Sequence, residues 1–232
     1  MAQSIIHGVS EVCERHGRVI VIEDDLVTSR YFLRYMNDAL NLYENESEVI
    51  SVHGYVYPVI KALPDSFFIR GADCWGWATW QRGWDLFQCD GLVLLEEIER
   101  RGLLREFDFD NTIPYVQMLR DQIAGRNDSW AVRWYASAFL LNKLTLYSGR
   151  SLVKNIGNDS SGVHCDASTS FDVEVSQVPV RLEKLPLIEN VLARAAFVHG
   201  LREIQQADTS ELSRLLAKLI RWWRGTIESR PA

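Results

Sequence analysis

Apolar positions open the chain at helical spacing. Ile5, Val9, Val12 and Cys13 share one face between Ser4 and His16, and Gly17 supplies the stop. The pattern then changes to an unbroken β-branched run, Val19-Ile20-Val21-Ile22, which predicts a strand buried on both faces, hence a parallel-sheet strand. Ser29 is placed to cap a helix carrying Phe32, Leu33, Met36 and Leu40. Val49 to Val52 reads as a second buried strand ended by His53-Gly54, and Phe67-Phe68-Ile69 as a short one. Gly71 to Trp84 holds three glycines among four tryptophans, which predicts a loop whose backbone something approaches closely. Helices are expected over Leu92–Leu104, Ile113–Ala124 and Trp130–Leu141. The last is apolar nearly all round and therefore central, with Asp128 or Ser129 as its cap. Leu144–Tyr147 and Ser151–Val153 read as strands around a Ser148-Gly149 turn, followed by the polar loop Asn155 to Cys165.

From about Ser176 the character shifts. Pro179 and Pro186 mark a linker, Ile188–Ile204 is helical in pattern, and Ser210 to Arg224 sets Leu212, Leu215, Leu216, Leu219, Ile220 and Trp223 against Arg214, Lys218, Arg221 and Arg224. That basic amphipathic stretch suits a membrane surface, a partner, or its own domain. The expected organisation is an α/β domain over residues 1–176 with a C-terminal helical extension over 177–232.

Composition narrows the function classes. At 47% hydrophobic and 24% charged the chain is ordinary for a soluble globular protein, and a net charge of −6 carries no nucleic-acid footprint. Cys13, Cys74, Cys89 and Cys165 form no CxxC pair, so they read as reduced thiols of a cytoplasmic protein rather than a zinc or disulfide framework. No apolar run reaches the length of a membrane span, and the N-terminus has no signal-peptide pattern. Six of the eight tryptophans fall in two clusters, at 75, 77, 80, 84 and at 130, 134. Such clusters serve either as core or as sugar-stacking surfaces.

The candidate chemistry lies at Glu23-Asp24-Asp25, where the first strand ends. Ligands of open α/β sheets collect at the carboxyl ends of strands. Three carboxylates there repel one another, and a hard cation such as Mg²⁺ or Mn²⁺ would relieve them and hold phosphate oxygens. If the strand continued, Glu23 and Asp25 would share a face, with Asp24 opposite. A solvated acidic turn is the plainer alternative.

Glu23-Asp24-Asp25, the Trp75-Gly76-Trp77-Ala78-Thr79-Trp80 stretch, and Lys154-Asn155-Ile156-Gly157 leading to His164 occur in that order. Together they resemble bacterial sugar transferases of the GT-A class, distantly similar to the N-acetylglucosaminyltransferase I family, over roughly residues 1 to 166. The resemblance implies a partial GT-A (Rossmann-like) mixed sheet flanked by helices. It also implies metal-dependent, inverting transfer of a sugar from a nucleoside diphosphate donor, a UDP-sugar first, to a glycan or lipid-linked hydroxyl. It makes Asp25 the metal ligand, with His164 completing the metal or phosphate contact. Glu23 and Asp24 would face sugar and ribose, and Trp75, Gly76 and Trp77 would line a sugar. The family places its base aspartate in a Trp-Asp-x-x-Trp pattern, where this chain has Trp130-Ala131-Val132-Arg133-Trp134, so Asp128 is the nearest replacement. Arg133 would meet a phosphate or pair with a carboxylate. Related transferases carry further βαβ units ahead of the acidic strand. One helix stands there instead, as in a truncated product, a missed upstream start or a true short form; if the chain is complete as given, an exposed sheet edge and weak donor binding are expected. The other readings are a non-catalytic remnant binding glycan or a partner, and a metal-dependent phosphohydrolase, which would want a nucleophilic aspartate or a Gly-rich phosphate turn where Leu26-Val27 stand. The expected location is the cytoplasm, with peripheral contact at the inner face of the membrane through the C-terminal basic stretch.

Overall fold

The computed structural model describes residues 2–157 and 170–207. Five strands form one mixed sheet: β1 (Arg18–Val21), β3 (Val49–His53), β4 (Ser66–Arg70), β5 (Trp77–Trp80) and β6 (Leu144–Ser148), in the spatial order β1-β5-β3-β6-β4. Only β3 and β6 run parallel; the other three pairings are antiparallel. A separate two-stranded ribbon pairs β2 (Leu26–Thr28) with β7 (Val153–Asn155). The register places Val21 beside Trp77, Trp77 beside His53, and His53 beside Tyr147. The carboxyl ends of β1 and β3 therefore lie at one end of the sheet.

Helices cover both faces. On one, α2 (Phe32–Leu42) buries Phe32, Tyr35, Met36, Ala39 and Leu40 against Val52, Phe68, Ala78 and Leu146. On the other, α1 (Ala2–His16) presents Val9 and Cys13, and α7 (Trp130–Leu140) presents Trp130 and Trp134, around Val21, Ile50 and Trp77. The same face continues under α4 (Gly91–Arg100), α6 (Tyr115–Ile123) and the helix over 191–207, here α8. Short α3 (Gln81–Trp84) and α5 (Leu104–Phe107) link these pieces. Val180, Leu182, Leu185 and Leu187 pack beside α2, while Phe197 and Leu201 are buried in the other core, so described residues of the 177–232 stretch join the packing of the first 157.

Four sequence expectations change. Strand β1 is an antiparallel edge strand, half-buried along most of its length, and not a doubly buried parallel one. Its apolar run reflects cover on both faces, with Val21 in the α1–α7 core and Ile20 against the core that α2 shares. The Gly71–Trp84 stretch is a loop only as far as Gly76; Trp77–Trp80 is β5, inserted between β1 and β3. Residues near Ser151–Val153 form no hairpin with β6, because β7 crosses to β2. Ser29 stands one turn ahead of α2, its Oγ accepting from Tyr31 N at 3.2 Å, and the N-cap position is Tyr31.

Candidate functional site

Beyond Val21 the chain leaves β1 and turns at Asp24-Asp25, with Leu26 N donating to the Glu23 carbonyl at 3.2 Å. The strand alternation that would set the carboxylate faces thus stops at Val21. Glu23 and Asp25 are nonetheless half-buried while Asp24 is exposed. Burial, with the charges of Asp25 and then Asp24, pushes the Glu23 carboxyl above its ordinary value.

The turn is held by the second half of the chain. Ile156 N donates to the Asp25 carbonyl at 2.8 Å, continuing the β2–β7 ladder. Asn155 Nδ2 reaches Asp25 Oδ2 at 3.5 Å, and Asn155 Oδ1 accepts from Gly157 N at 2.7 Å. A Cβ on Gly157 would sit 2.5 Å from Asp25 Oδ2, so any larger residue there would displace this carboxylate. Two motifs 130 residues apart are therefore one structure. Asp25 Oδ1 is buried and accepts no hydrogen bond from the described residues. A buried carboxylate oxygen without a donor is costly and suits a cation. Among the described residues no group of three or more His, Cys, Asp or Glu side chains gathers as a metal cage. Among the described residues Asp25 is therefore the one placed to hold a cation, with phosphate and water able to fill further positions, which Mg²⁺ tolerates. His164 lies outside the described residues.

The tryptophan stretch divides sharply. Trp77 is fully buried, its ring 5.4 Å from Trp130, 5.8 Å from Trp134 and 5.9 Å from Trp84. It is core, and its faces are closed to a sugar. Trp75 alone among the four is half-buried; its ring meets Tyr55 edge-on at 4.7 Å, and its backbone N donates to His53 Nε2 at 3.1 Å. Gly76 takes φ 65°, and a Cβ there would stand 2.6 Å from Val153 Cγ2. Around Gly71 the close neighbour is the Tyr135 ring and around Gly83 the Ile50 carbonyl. The close approach read from these glycines is made by the protein itself.

Asp128 precedes the α7 N-cap, which is Ser129, whose Oγ accepts from Val132 N at 3.2 Å. The Asp128 side chain is 64% exposed and 3.8 Å from Arg133 Nη2. Arg133 is buried, donating to the carbonyls of Ser129 and Cys89 at 3.0 Å each. Since Trp130 stacks on Trp77, the start of α7 lies at the same end of the sheet as the acidic turn.

Sequence reasoning passed over Asp73. Its side chain is 15% exposed; Oδ2 accepts from the Tyr57 hydroxyl at 2.9 Å and Oδ1 from Cys74 N at 2.8 Å, with His53 Nε2 3.8 Å away. Asp73, Glu23 and Asp25 all act electrostatically on the Cys74 thiol, which burial first and these charges next push well above its ordinary value. Asp73 therefore belongs to the neighbourhood of the acidic turn. The available signal was one acid inside an otherwise apolar, Trp-rich stretch.

No protein family matches this chain, and no curated protein is significantly similar to it.

Proposed function

We propose that this protein is a metal-dependent inverting glycosyltransferase of GT-A type, moving a sugar from a nucleoside diphosphate donor to a hydroxyl of a glycan or lipid-linked acceptor. The observation that supports it most is the buried Oδ1 of Asp25, without a donor among the described residues, in a turn braced by Asn155 and Gly157. Asp25 would hold Mn²⁺ or Mg²⁺, and His164 is the sequence's candidate to add to that contact. The bound cation supplies Lewis acidity toward the diphosphate leaving group. Glu23, half-buried and displaced toward its protonated form, is suited to hydrogen-bond a sugar or ribose hydroxyl, and exposed Asp24 to accept from one. Trp75 offers the one ring of its cluster with free surface for a sugar face.

Inversion needs a carboxylate to take the acceptor proton. Asp128 and Asp73 are the two candidates near this end of the sheet. Asp73 is favoured because Tyr57 and the Cys74 backbone fix its orientation, whereas Asp128 is exposed beside Arg133.

Calorimetric titration of the chain with UDP, with and without Mn²⁺, tests the reading beside an Asp25→Asn variant. Binding that requires Mn²⁺ and disappears in the variant is expected. A folded protein that binds no nucleotide in either condition overturns the assignment.

A further inference from the structure

The four most exposed large apolar side chains among the described residues are Ile60 in one loop and Ile188, Val191 and Leu192 at and just before the start of α8. Ile60 is 81% exposed, Leu192 80%, and Ile188 and Val191 70% each, whereas Leu33, the next, is 56%. Ile60 and Leu192 line one groove of about 720 Å³ between the 60–64 loop and the outer face of α8. Val191 lines the adjoining cleft, which shares Ala195 and His199 with the groove. The cleft holds Arg70, Arg105, Arg194 and Arg202 against Glu106, Asp110 and Glu189. Asp110 is shared by Arg105 and Arg194, so the arginines are incompletely neutralised, and Lys61 adds a cation at the groove. This surface follows β4, the sheet edge opposite β1, where Asn190 N donates to the Phe68 carbonyl at 2.8 Å. It is therefore distinct from the acidic turn.

Clustered apolar exposure of this degree marks a surface that meets something, and charge selects the occupant. The chain's own 208–232 sequence has five basic residues against Asp208, Glu211 and Glu228, so its net charge has the same sign as that of the arginine cleft. A second copy would present the same cleft, with one arginine more than its carboxylates, and so no opposite net charge. An anionic bilayer satisfies both halves of the surface: aliphatic side chains enter the headgroup boundary, and guanidinium groups meet lipid phosphates. We propose that Ile60, Ile188, Val191 and Leu192, with the arginine cleft beside them, dock this protein onto an anionic lipid surface. The basic amphipathic sequence that follows α8 suits the same surface.

The test is co-sedimentation of the full chain with vesicles of phosphatidylcholine alone or mixed equally with phosphatidylglycerol. Two double variants serve, Ile60→Asp with Leu192→Asp, and Arg105→Glu with Arg202→Glu. All four positions are exposed, and unchanged melting temperatures verify folding. Binding to the phosphatidylglycerol vesicles only, weakened about ten-fold or more in each double variant and by added salt, is expected. Wild-type protein that ignores these vesicles, or variants that bind them as the wild type does, overturns the proposal. So does a wild-type dimer, measured by light scattering, that the apolar variant dissolves without any vesicle binding.

Discussion

At the scale of single residues, the same side chain two positions apart has opposite fates. Trp75 and Trp77 flank Gly76 in a stretch that sequence reads as one aromatic surface. Trp77 lies in a strand and points into the α1–α7 core, while Trp75 lies before the strand and keeps part of its ring free. Abundance of tryptophan was visible in the sequence; direction was not, because it depends on where β5 begins. Trp77→Ala should cost about 3–5 kcal/mol in urea unfolding, as large core truncations do, and Trp75→Ala clearly less. Equal costs would mean that both rings are core. The carboxylates divide in a similar way. Asp128 drew attention by its place ahead of a Trp-rich helix, whereas Asp73 becomes visible only when the fold brings His53 and Tyr57 to it. Once transfer is assayed with a UDP-sugar, Asp73→Asn should lower kcat by about 100-fold or more while leaving Mn²⁺-dependent UDP binding intact, the range for loss of a general base. Asp128→Asn should change kcat little, and the reverse ranking would return the base role to Asp128.

Elements were more legible than their connections. Helical periodicity located α1, α4, α6 and α8 to within a few residues, because each buries one apolar stripe that its own sequence must carry, and α7 was legible as a helix apolar nearly all round and buried almost throughout. Strand partners are written in two places at once, so neither β1 as an edge nor the β2–β7 ribbon could be read from one segment. The ribbon matters most, since it brings Asn155 and Gly157 onto Asp25. Caps are a local device, and both Asp128 and Ser129 suited the start of α7. Structure gives the cap to Ser129, so Ser129→Ala should cost about 1 kcal/mol in chemical unfolding, whereas Asp128→Ala should cost less. A larger loss at Asp128 would show that its pairing with Arg133 outweighs the cap.

For the molecule as a whole, acid sensitivity should begin at the end of the sheet. His53 is fully buried, and its Nε2 must be unprotonated to accept the Trp75 N–H. Burial lowers its pKa from the ordinary 6.5, more than the opposing pull of Asp73 raises it. The unfolded chain therefore takes up the imidazole proton at higher pH than the folded one. Stability from this group is complete above 6.5 and falls as pH drops below it, down to the lowered folded value. Glu23 and Asp108, both raised, act in the opposite sense as pH falls, while Asp110, held below its ordinary value of 3.8 by Arg194, costs stability only at lower pH. Among the described residues the first loss on leaving neutrality thus belongs to His53. Its protonation removes the bond that ties the end of β3 to Trp75, and with it the loop holding Asp73 beside the acidic turn. Calorimetric melting between about pH 7.5 and 5.5 should show a falling Tm for the wild type. A His53→Phe variant should melt lower throughout, with a flatter profile in that window. In the folded wild type, the His53 ring proton resonances should pass 6.5 without the imidazolium shift. A His53 that titrates there, or a variant with the wild-type slope, would move the acid-sensitive point elsewhere in the fold.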